Sequence, residues 1–309
     1  MANGQEKFTV IGLGELIWDL LPGGRQLGGA PTNFAYIAHL LGDDAVVASR
    51  VGADELGRGA AERLGRMGIS TRYLQIDEEH PTGTVGVRID ESGEPHFAVN
   101  KNSAWDYLEW TPRWEELAAR ADAVCYGTLG QRKEGAASTI TRFLEHTRAD
   151  TLRVFDVNLR HSFFTPEMLA RSLRLATVVK LNAVELSQAA ALLNFKERGE
   201  RAIGRRLLRE FGIEMIAVTH GGKGSVLLTE DRAVEHPGIS VRVADTIGAG
   251  DAFTATLAHY RLRRAPLEVI SVAANRMGAW VATQHGATPE IDPRVLKEMP
   301  CKFYPDENF

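Results

Sequence analysis

Ala123-Val124-Cys125-Tyr126, Arg153-Val154-Phe155-Asp156-Val157, Val178-Val179-Lys180-Leu181 and Met215-Ile216-Ala217-Val218-Thr219 punctuate the middle of the chain. Each run is short and near-continuously apolar. Helical patterns near 134–148, 166–175 and 184–210 separate one run from the next. A strand that is apolar on both sides must be covered on both faces, and strands joined by helical crossovers lie parallel. The reading is an α/β fold: three layers, α/β/α, around a mostly parallel sheet.

The pattern extends outward in both directions. Upstream, Phe8 to Leu13 and Ala45 to Val51 read as further buried strands, with helices over Asn33 to Leu41 and from about Glu55 to Met67. Downstream, Ser225 to Leu228 reads as a short antiparallel addition, followed by two long helices near 251–263 and 267–284. One region breaks the pattern. Thr84 to Ile89 and Pro95 to Val99 are short strand-like runs around Glu91-Ser92-Gly93-Glu94, a hairpin signal. With the segment near 15–30 this hairpin forms a small β-sheet lid, from about 15–30 and 84–108, over the strand ends. No repeat, low-complexity tract or linker marks a second domain, so residues 1–309 are read as a single domain.

Composition narrows the function. The chain has 309 residues, 44% of them hydrophobic, and a formal net charge of -4. At this length about three quarters of the unfolded surface is buried, enough for a large core. A general nucleic-acid binder would carry a basic excess, so nucleic acid is not an expected partner. No apolar run reaches the roughly 20 residues that span a bilayer, and the first residues carry no signal-peptide pattern. The expected location is the cytoplasm, without membrane association. The two cysteines, Cys125 and Cys301, are far apart, and Cys125 in its apolar strand reads as a small core residue.

Open parallel sheets bind ligands at the carboxyl ends of their strands, and polar residues gather there. Asp156, Asn158 and Arg160 follow one strand, Asn182 and Glu185 another, and Thr219, Gly221 and Gly222 a third. Near the C-terminal end stands Asp245-Thr246-Ile247-Gly248-Ala249-Gly250-Asp251-Ala252-Phe253. Its glycines leave bare backbone N–H groups at a helix start, where the dipole also favours an anion, and Asp251 sits beside them as a proton acceptor. Phosphoryl transfer to an alcohol requires that pairing. An aspartate before a helix is also an ordinary N-cap, and Gly-x-Gly an ordinary tight turn.

Other nucleotide and metal motifs fail. A Walker A loop would need Ser or Thr after Lys223, where Gly224 stands, and glycine where Ala217 stands. The dinucleotide fingerprint breaks at Ile17 in one place and at Phe253 in the other. No His-Glu-x-x-His occurs, which disfavours a zinc hydrolase.

The sequence resembles the ribokinase-like (PfkB) family of carbohydrate kinases over nearly its whole length. Its C-terminal signature DTxGAGDxF is matched by Asp245, Thr246, Gly248, Ala249, Gly250, Asp251 and Phe253. The N-terminal signature, a Gly-Gly turn followed by Asn, is matched by Gly28-Gly29-Ala30-Pro31-Thr32-Asn33, and Gly52-x-Asp54-x-x-Gly57 is a further match. The resemblance implies a ribokinase-like fold, ATP as donor and a sugar hydroxyl as acceptor. It implies Asp251 as general base, with Gly248, Ala249 and Gly250 forming the anion hole. Asp19, Gly29 and Asn33 align with sugar contacts. Thr219, Gly221, Gly222 and Gly224 resemble the loop against the ATP phosphates, and Asn275 falls where relatives contact adenine.

Asn182-x-x-Glu185 matches a motif associated with Mg2+ and phosphate placement through water. The same four residues spell a capping box. Asp245, with the backbone near Gly286, corresponds to a region that binds a monovalent cation such as K+ in several relatives. Some relatives also pair their lids into homodimers, and an exposed sheet edge offers a route for that.

Asp156-Val157-Asn158-Leu159-Arg160 resembles the DxNxR segment of the fructokinase and 2-keto-3-deoxygluconate kinase branch. Arg160 is a fork for a carboxylate or a loop anchor. Where relatives carry Phe-x-Phe-Tyr-Arg in the second lid strand, this chain has Phe97-Ala98-Val99-Asn100-Lys101. Lys101 keeps the charge without the planar fork. That places a neutral sugar, fructose, ahead of the keto-acid. A sugar-binding protein without catalysis is the alternative from a different class.

Overall fold

The computed structural model describes residues 7–21, 24–89, 95–159, 163–291 and 293–298, and the side chains of 21, 87–89, 95–98, 293, 297 and 298 are left aside. Arg160, Cys301 and the expected turn at Glu91 to Glu94 lie outside the described residues.

The chain starts with β1 (Thr9–Leu13), then β2 (Ile17–Leu21), β3 (Gly24–Gly28) and α1 (Ala30–Leu40). After them come β4 (Asp44–Gly52), α2 (Glu55–Arg66), β5 (Leu74–Asp77) and the hairpin strands β6 (Gly83–Ile89) and β7 (Pro95–Val99). The α/β alternation follows: α3 (Pro112–Arg120), β8 (Ala123–Gly127), α4 (Glu134–Glu145), β9 (Leu152–Asp156), α5 (Pro166–Leu175) and β10 (Val178–Asn182). It continues through α6 (Ala183–Leu192), α7 (Glu200–Phe211), β11 (Met215–Thr219), β12 (Ser225–Leu228) and β13 (Ala233–His236), and ends in α8 (Ala249–Leu262), α9 (Leu267–Ala282) and the short α10 (Pro293–Glu298).

The larger sheet has nine strands in the order β13-β12-β11-β10-β9-β8-β1-β4-β5. Every pair from β11 to β5 is parallel, and β12 and β13 close one edge antiparallel. Side chains alternate between two cores, as period-2 geometry requires. Val10, Ala123, Cys125, Val154, Val178 and Ala217 pack under α1, α2, α8 and α9. Ile11, Val124, Tyr126, Phe155, Val179 and Val218 pack against α3 to α7. Burial on both faces is why the runs are apolar throughout. At about 25 cal/mol per Å2 of apolar surface, the two cores supply the main drive for folding.

A second sheet, β3-β2-β6-β7, stands apart as the expected lid. β2 pairs β3 and β6 pairs β7 antiparallel, while β2 and β6 run parallel. Ile17, Val85, Trp105 and Leu129 form its own small core. At the lid root, the buried Arg132 guanidinium lies 4.0 Å from the Trp105 ring centroid. The same side chain grips Asp106 through Nε and Nη2, each at 2.7 Å. Trp105 therefore packs the lid. Trp18 also packs, with Nε1 donating to Leu56 O at 2.9 Å.

The Gly52-x-Asp54-x-x-Gly57 motif ties the lid to the large sheet. Asp54 caps α2 through Gly57 N at 2.7 Å and also accepts from Thr82 N at 2.8 Å, immediately before β6. A Cβ on Gly57 would sit 2.0 Å from Gly52 O, so that position admits only glycine.

Several boundaries differ from the sequence reading. The first helix begins at Ala30, not Asn33, because Gly29 (φ 102°) caps it and Pro31 fits its first turn. The single helix expected over 184–210 is two: Asn194 (φ 58°) and Gly199 (φ 83°) take positive φ values that no helix continues through. Helix α3, whose start is marked by Thr111 and Pro112, was not expected, nor were strands β5 and β13. Lys101 does not lie on the second lid strand, which ends at Val99; it follows in an exposed bend.

Candidate active site

A cavity of about 1040 Å3 opens over the carboxyl ends of the parallel strands. Glu15 after β1, Leu129 after β8, Asn158 after β9, Asn182 ending β10 and Thr219 ending β11 all line it. The strand order changes direction around β1, which has β8 on one side and β4 on the other. Crevices of open α/β sheets form at such switch points.

One side is closed by the start of α8. Gly248 caps the helix at φ 77°, and a Cβ there would lie 2.6 Å from the Ala287 Cβ. Only a bare backbone passes. Ala249 N donates to Thr246 O at 3.3 Å and Ala252 N to Gly248 O at 2.8 Å, which shapes the turn. Gly248, Ala249, Gly250 and Asp251 all line the cavity, at a helix N-terminus where dipole and amides favour an anion.

Asp251 sits in the first turn of α8 and is partly exposed. Asn33 Nδ2, from the first turn of α1, donates to its Oδ2 at 2.7 Å. The two short sequence signatures are thus in direct contact.

Asp19, Gly29 and Asn33 line the same cavity on the lid side. Burial, with the negative charge of Asp245 second, pushes the Asp19 carboxyl up to about 6. A Cβ on Gly29 would lie 2.6 Å from Glu15 O. Thr219, Gly221, Gly222, Gly224 and Asn275 line the far side. Asn275 Nδ2 is held by Ser225 Oγ and Ser271 O, both at 2.8 Å.

Asn182 and Glu185 form the capping box in full. Glu185 N donates to Asn182 Oδ1 at 2.9 Å, and Asn182 N to Glu185 Oε2 at 2.8 Å. Glu185 Oε1 also accepts from Leu159 N at 3.1 Å, which fixes the loop after β9. Burial raises the Glu185 pKa, with these amides and the Lys180 charge opposing the rise. Both residues line the cavity, so the cap and a ligand contact are compatible.

Four expected residues lie outside the lining. Asp156 is 3% exposed and does not line the cavity; it accepts from Lys180 Nζ at 3.1 Å and from Thr254 Oγ1 at 2.8 Å. The cause is its register: Asp156 pairs directly with Lys180 across β9 and β10 and points at its neighbour. Lys101 is exposed and not in the lining. Asp245 is joined to Gly286, whose N donates to its Oδ2 at 3.2 Å, while Ile247 N takes Oδ1 at 2.9 Å. Neither Asp245 nor Gly286 lines the cavity.

The sequence reading missed Lys180, Glu15 and Thr254. Lys180 and Glu15 line the cavity, and Thr254 holds Asp156 from α8. The signal for Lys180 was available: a lysine inside an otherwise apolar strand needs a buried partner.

The fold is that of a ribokinase-like carbohydrate kinase. The profile described as pfkB family carbohydrate kinase matches residues 23–293, and the chain belongs to that family. A fructokinase of Escherichia coli is 34% identical over 79% of this chain and 81% of its own length. Fructokinase from Vibrio cholerae O395, solved in its fructose, ADP and calcium ion bound form, is 25% identical with a TM-score of 0.75. That likeness covers 91% of this chain and 94% of the other. A sugar kinase of Pyrococcus horikoshii, solved in complex with ATP, gives 25% identity and a TM-score of 0.73 over the same 91% and 94%.

Proposed function

We propose that this sugar kinase transfers the γ-phosphoryl group of cytoplasmic ATP to a hydroxyl of fructose, with Asp251 as general base. The observation that carries the proposal is the placement of Asp251: a cavity-lining carboxylate at the mouth of a bare helix N-terminus, oriented by Asn33. The acceptor hydroxyl loses its proton to Asp251 as its oxygen bonds the γ-phosphorus. The bond from phosphorus to the β-γ bridging oxygen breaks, and ADP leaves. The turn at Gly248 to Gly250 faces the charge that builds on the phosphoryl oxygens, where a lost donor typically costs about 10²–10³-fold in rate.

The acceptor end favours a neutral polyol. Asp19 and Asn33 offer a carboxylate and an amide suited to vicinal hydroxyls. Among the described residues that line the cavity the one lysine or arginine is Lys180, whose ammonium is already held by Asp156, and Lys101 is outside the lining. A keto-acid would lack a counter-charge from these residues. The donor end would take the phosphates at Thr219, Gly221, Gly222 and Gly224, and adenine near Asn275.

Among the described residues no group of three or more His, Cys, Asp or Glu side chains is arranged to hold a metal. Glu185, a buried carboxylate of the cavity lining, fits Mg2+ that arrives with ATP and keeps most of its waters. Glu185 would hold one of those waters, and the ion would neutralise the β- and γ-phosphates. Asp245 and the Gly286 backbone would be the residues for K+; unlike Glu185 they stand outside the cavity lining, and no step is derived through that ion. We also propose that the lid edges, strands β3 and β7, pair two copies into a dimer; sedimentation at a monomer mass across concentrations would refute that.

The function is tested by ADP release with Mg-ATP across neutral sugars, sugar acids and nucleosides. Turnover of fructose above the others supports the reading. Turnover only of 2-keto-3-deoxygluconate overturns the substrate. Ligand-induced stabilisation without ADP release points to a silent binder.

A further inference from the structure

Lys180 is a buried cation that the proposed transfer chemistry has not yet used. It is 8% exposed, on a strand whose neighbours Val179 and Leu181 are fully buried. Asp156 holds its Nζ at 3.1 and 3.2 Å through both carboxylate oxygens, and Thr254 Oγ1 braces Asp156 from the first turns of α8. The ammonium is also a wall of the cavity. A Cβ built on Gly250 would lie 3.0 Å from Nζ, so the lysine abuts the glycine turn at the start of α8.

The charge census makes this position informative. Four carboxylates line the cavity: Glu15, Asp19, Glu185 and Asp251. Among the described residues that line it, Lys180 is the only lysine or arginine. A site for a nucleoside triphosphate needs positive potential, and helix-end amides alone face four acidic groups. Burial works against the ammonium, yet Asp156, Asp251 and Glu185 outweigh it and raise the Lys180 pKa, so the charge persists. Cys125, on β8 one strand beyond β9, is a buried thiol in the same field, its pKa raised by burial first and then by Asp156 and Asp251.

We propose that Lys180 is a positioning residue of the phosphoryl-transfer site. Its ammonium, clamped by Asp156 behind the Gly250 turn, supplies the positive potential that lets an ATP polyphosphate approach Asp251, and it keeps Asp251 ionised as a base. This rests on the kinase reading above. Two further features follow. Asp156 is buried to aim the lysine, and the bare Gly250 leaves room for Nζ, since a Cβ there would come within 3.0 Å of it.

The experiment compares Lys180→Met, Asp156→Asn and the double variant, using the full chain. Lys180→Met leaves a buried carboxylate unpaired and is expected to be less stable; the double variant removes both charges and restores thermal stability. In the double variant, ATP affinity by calorimetry is expected to fall about 10-fold or more, with adenosine affinity unchanged. The acid limb of its kcat profile is expected to move to higher pH, because the cation lost stands against the Gly250 turn beside Asp251 while the anion lost lies behind it, outside the cavity lining. KM for the sugar should hold. A double variant with wild-type ATP affinity and an unmoved pH profile overturns the proposal and leaves the pair a structural clamp. If the wild-type protein turns over no sugar, the kinase reading fails, while the ATP-against-adenosine comparison still decides the role of Lys180.

Discussion

Asn33 and Asp251, 218 residues apart in sequence, are joined by a 2.7 Å hydrogen bond across the cavity wall. The donor comes from α1, after the glycine turn at Gly28-Gly29, and the acceptor from α8. Contacts between α1 and α8 therefore set the geometry of the proposed base. Asn33→Ala would remove an amide that favours the ionised carboxylate and fixes its rotamer. The expected result is a fall in kcat of about 10-fold, roughly the worth of one charge-assisted hydrogen bond, with the acid limb of the profile shifted to higher pH. Steady-state kinetics against pH measure both.

Asp19 provides a second pH signal. Its carboxyl is raised to about 6, so it loses its charge as pH falls from 7 through that value. Sugar KM is expected to rise below about pH 6, and Asp19→Asn should flatten that rise. The stability sign is opposite to that of a salt-bridged aspartate. A carboxyl whose folded pKa lies above its unfolded value stabilises the fold below the unfolded pKa, and this is lost as pH rises through about 6. Asp19→Asn should therefore raise the unfolding free energy at pH 7 by on the order of 1 kcal/mol after allowance for its partial exposure, read as a higher melting temperature.

Glu185 tests a dual role. As a cap it accepts from two backbone amides, Asn182 N and Leu159 N. Glu185→Gln keeps one good acceptor and should cost about 1–2 kcal/mol in chemical denaturation. If the side chain also holds a water of Mg2+, the Mg2+ concentration for half-maximal rate rises in the variant. An unchanged Mg2+ dependence would reduce Glu185 to the cap.

Gly248→Ala should be among the most damaging single changes at the turn. The residue sits at φ 77°, and the added Cβ would lie 2.7 Å from the Ala287 backbone Cα. Backbone strain of this kind costs about 1–3 kcal/mol, and the cradle would deform with it. Loss of ATP affinity beyond any loss of stability, measured by calorimetry on the folded variant, is the expected outcome.

Much of this was legible in the residues. Continuous apolar runs such as Val178 to Leu181 announced strands covered on both faces, and the glycine turns announced the cavity walls. What escaped depends on tertiary register. Lys180 reads as one polar letter in an apolar strand; only its pairing with Asp156 and the approach of Gly250 reveal it. Asp156 looked like a ligand contact because it follows a strand, but its side-chain direction is fixed by period 2 and faces the lysine. Lys101 was assigned to a strand that ends two residues earlier. The break between α6 and α7 rests on Asn194 and Gly199, both at positive φ, and propensity alone does not demand the left-handed asparagine.

The central claim is that the carboxylate of Asp251 takes the proton of the acceptor hydroxyl. Single-turnover and steady-state rates of Asp251→Asn, with ATP affinity measured on the same protein, test it most directly. The account predicts a kcat loss of about 10²–10⁴-fold with nucleotide affinity largely retained. A variant that turns over at a near-wild-type rate would contradict it.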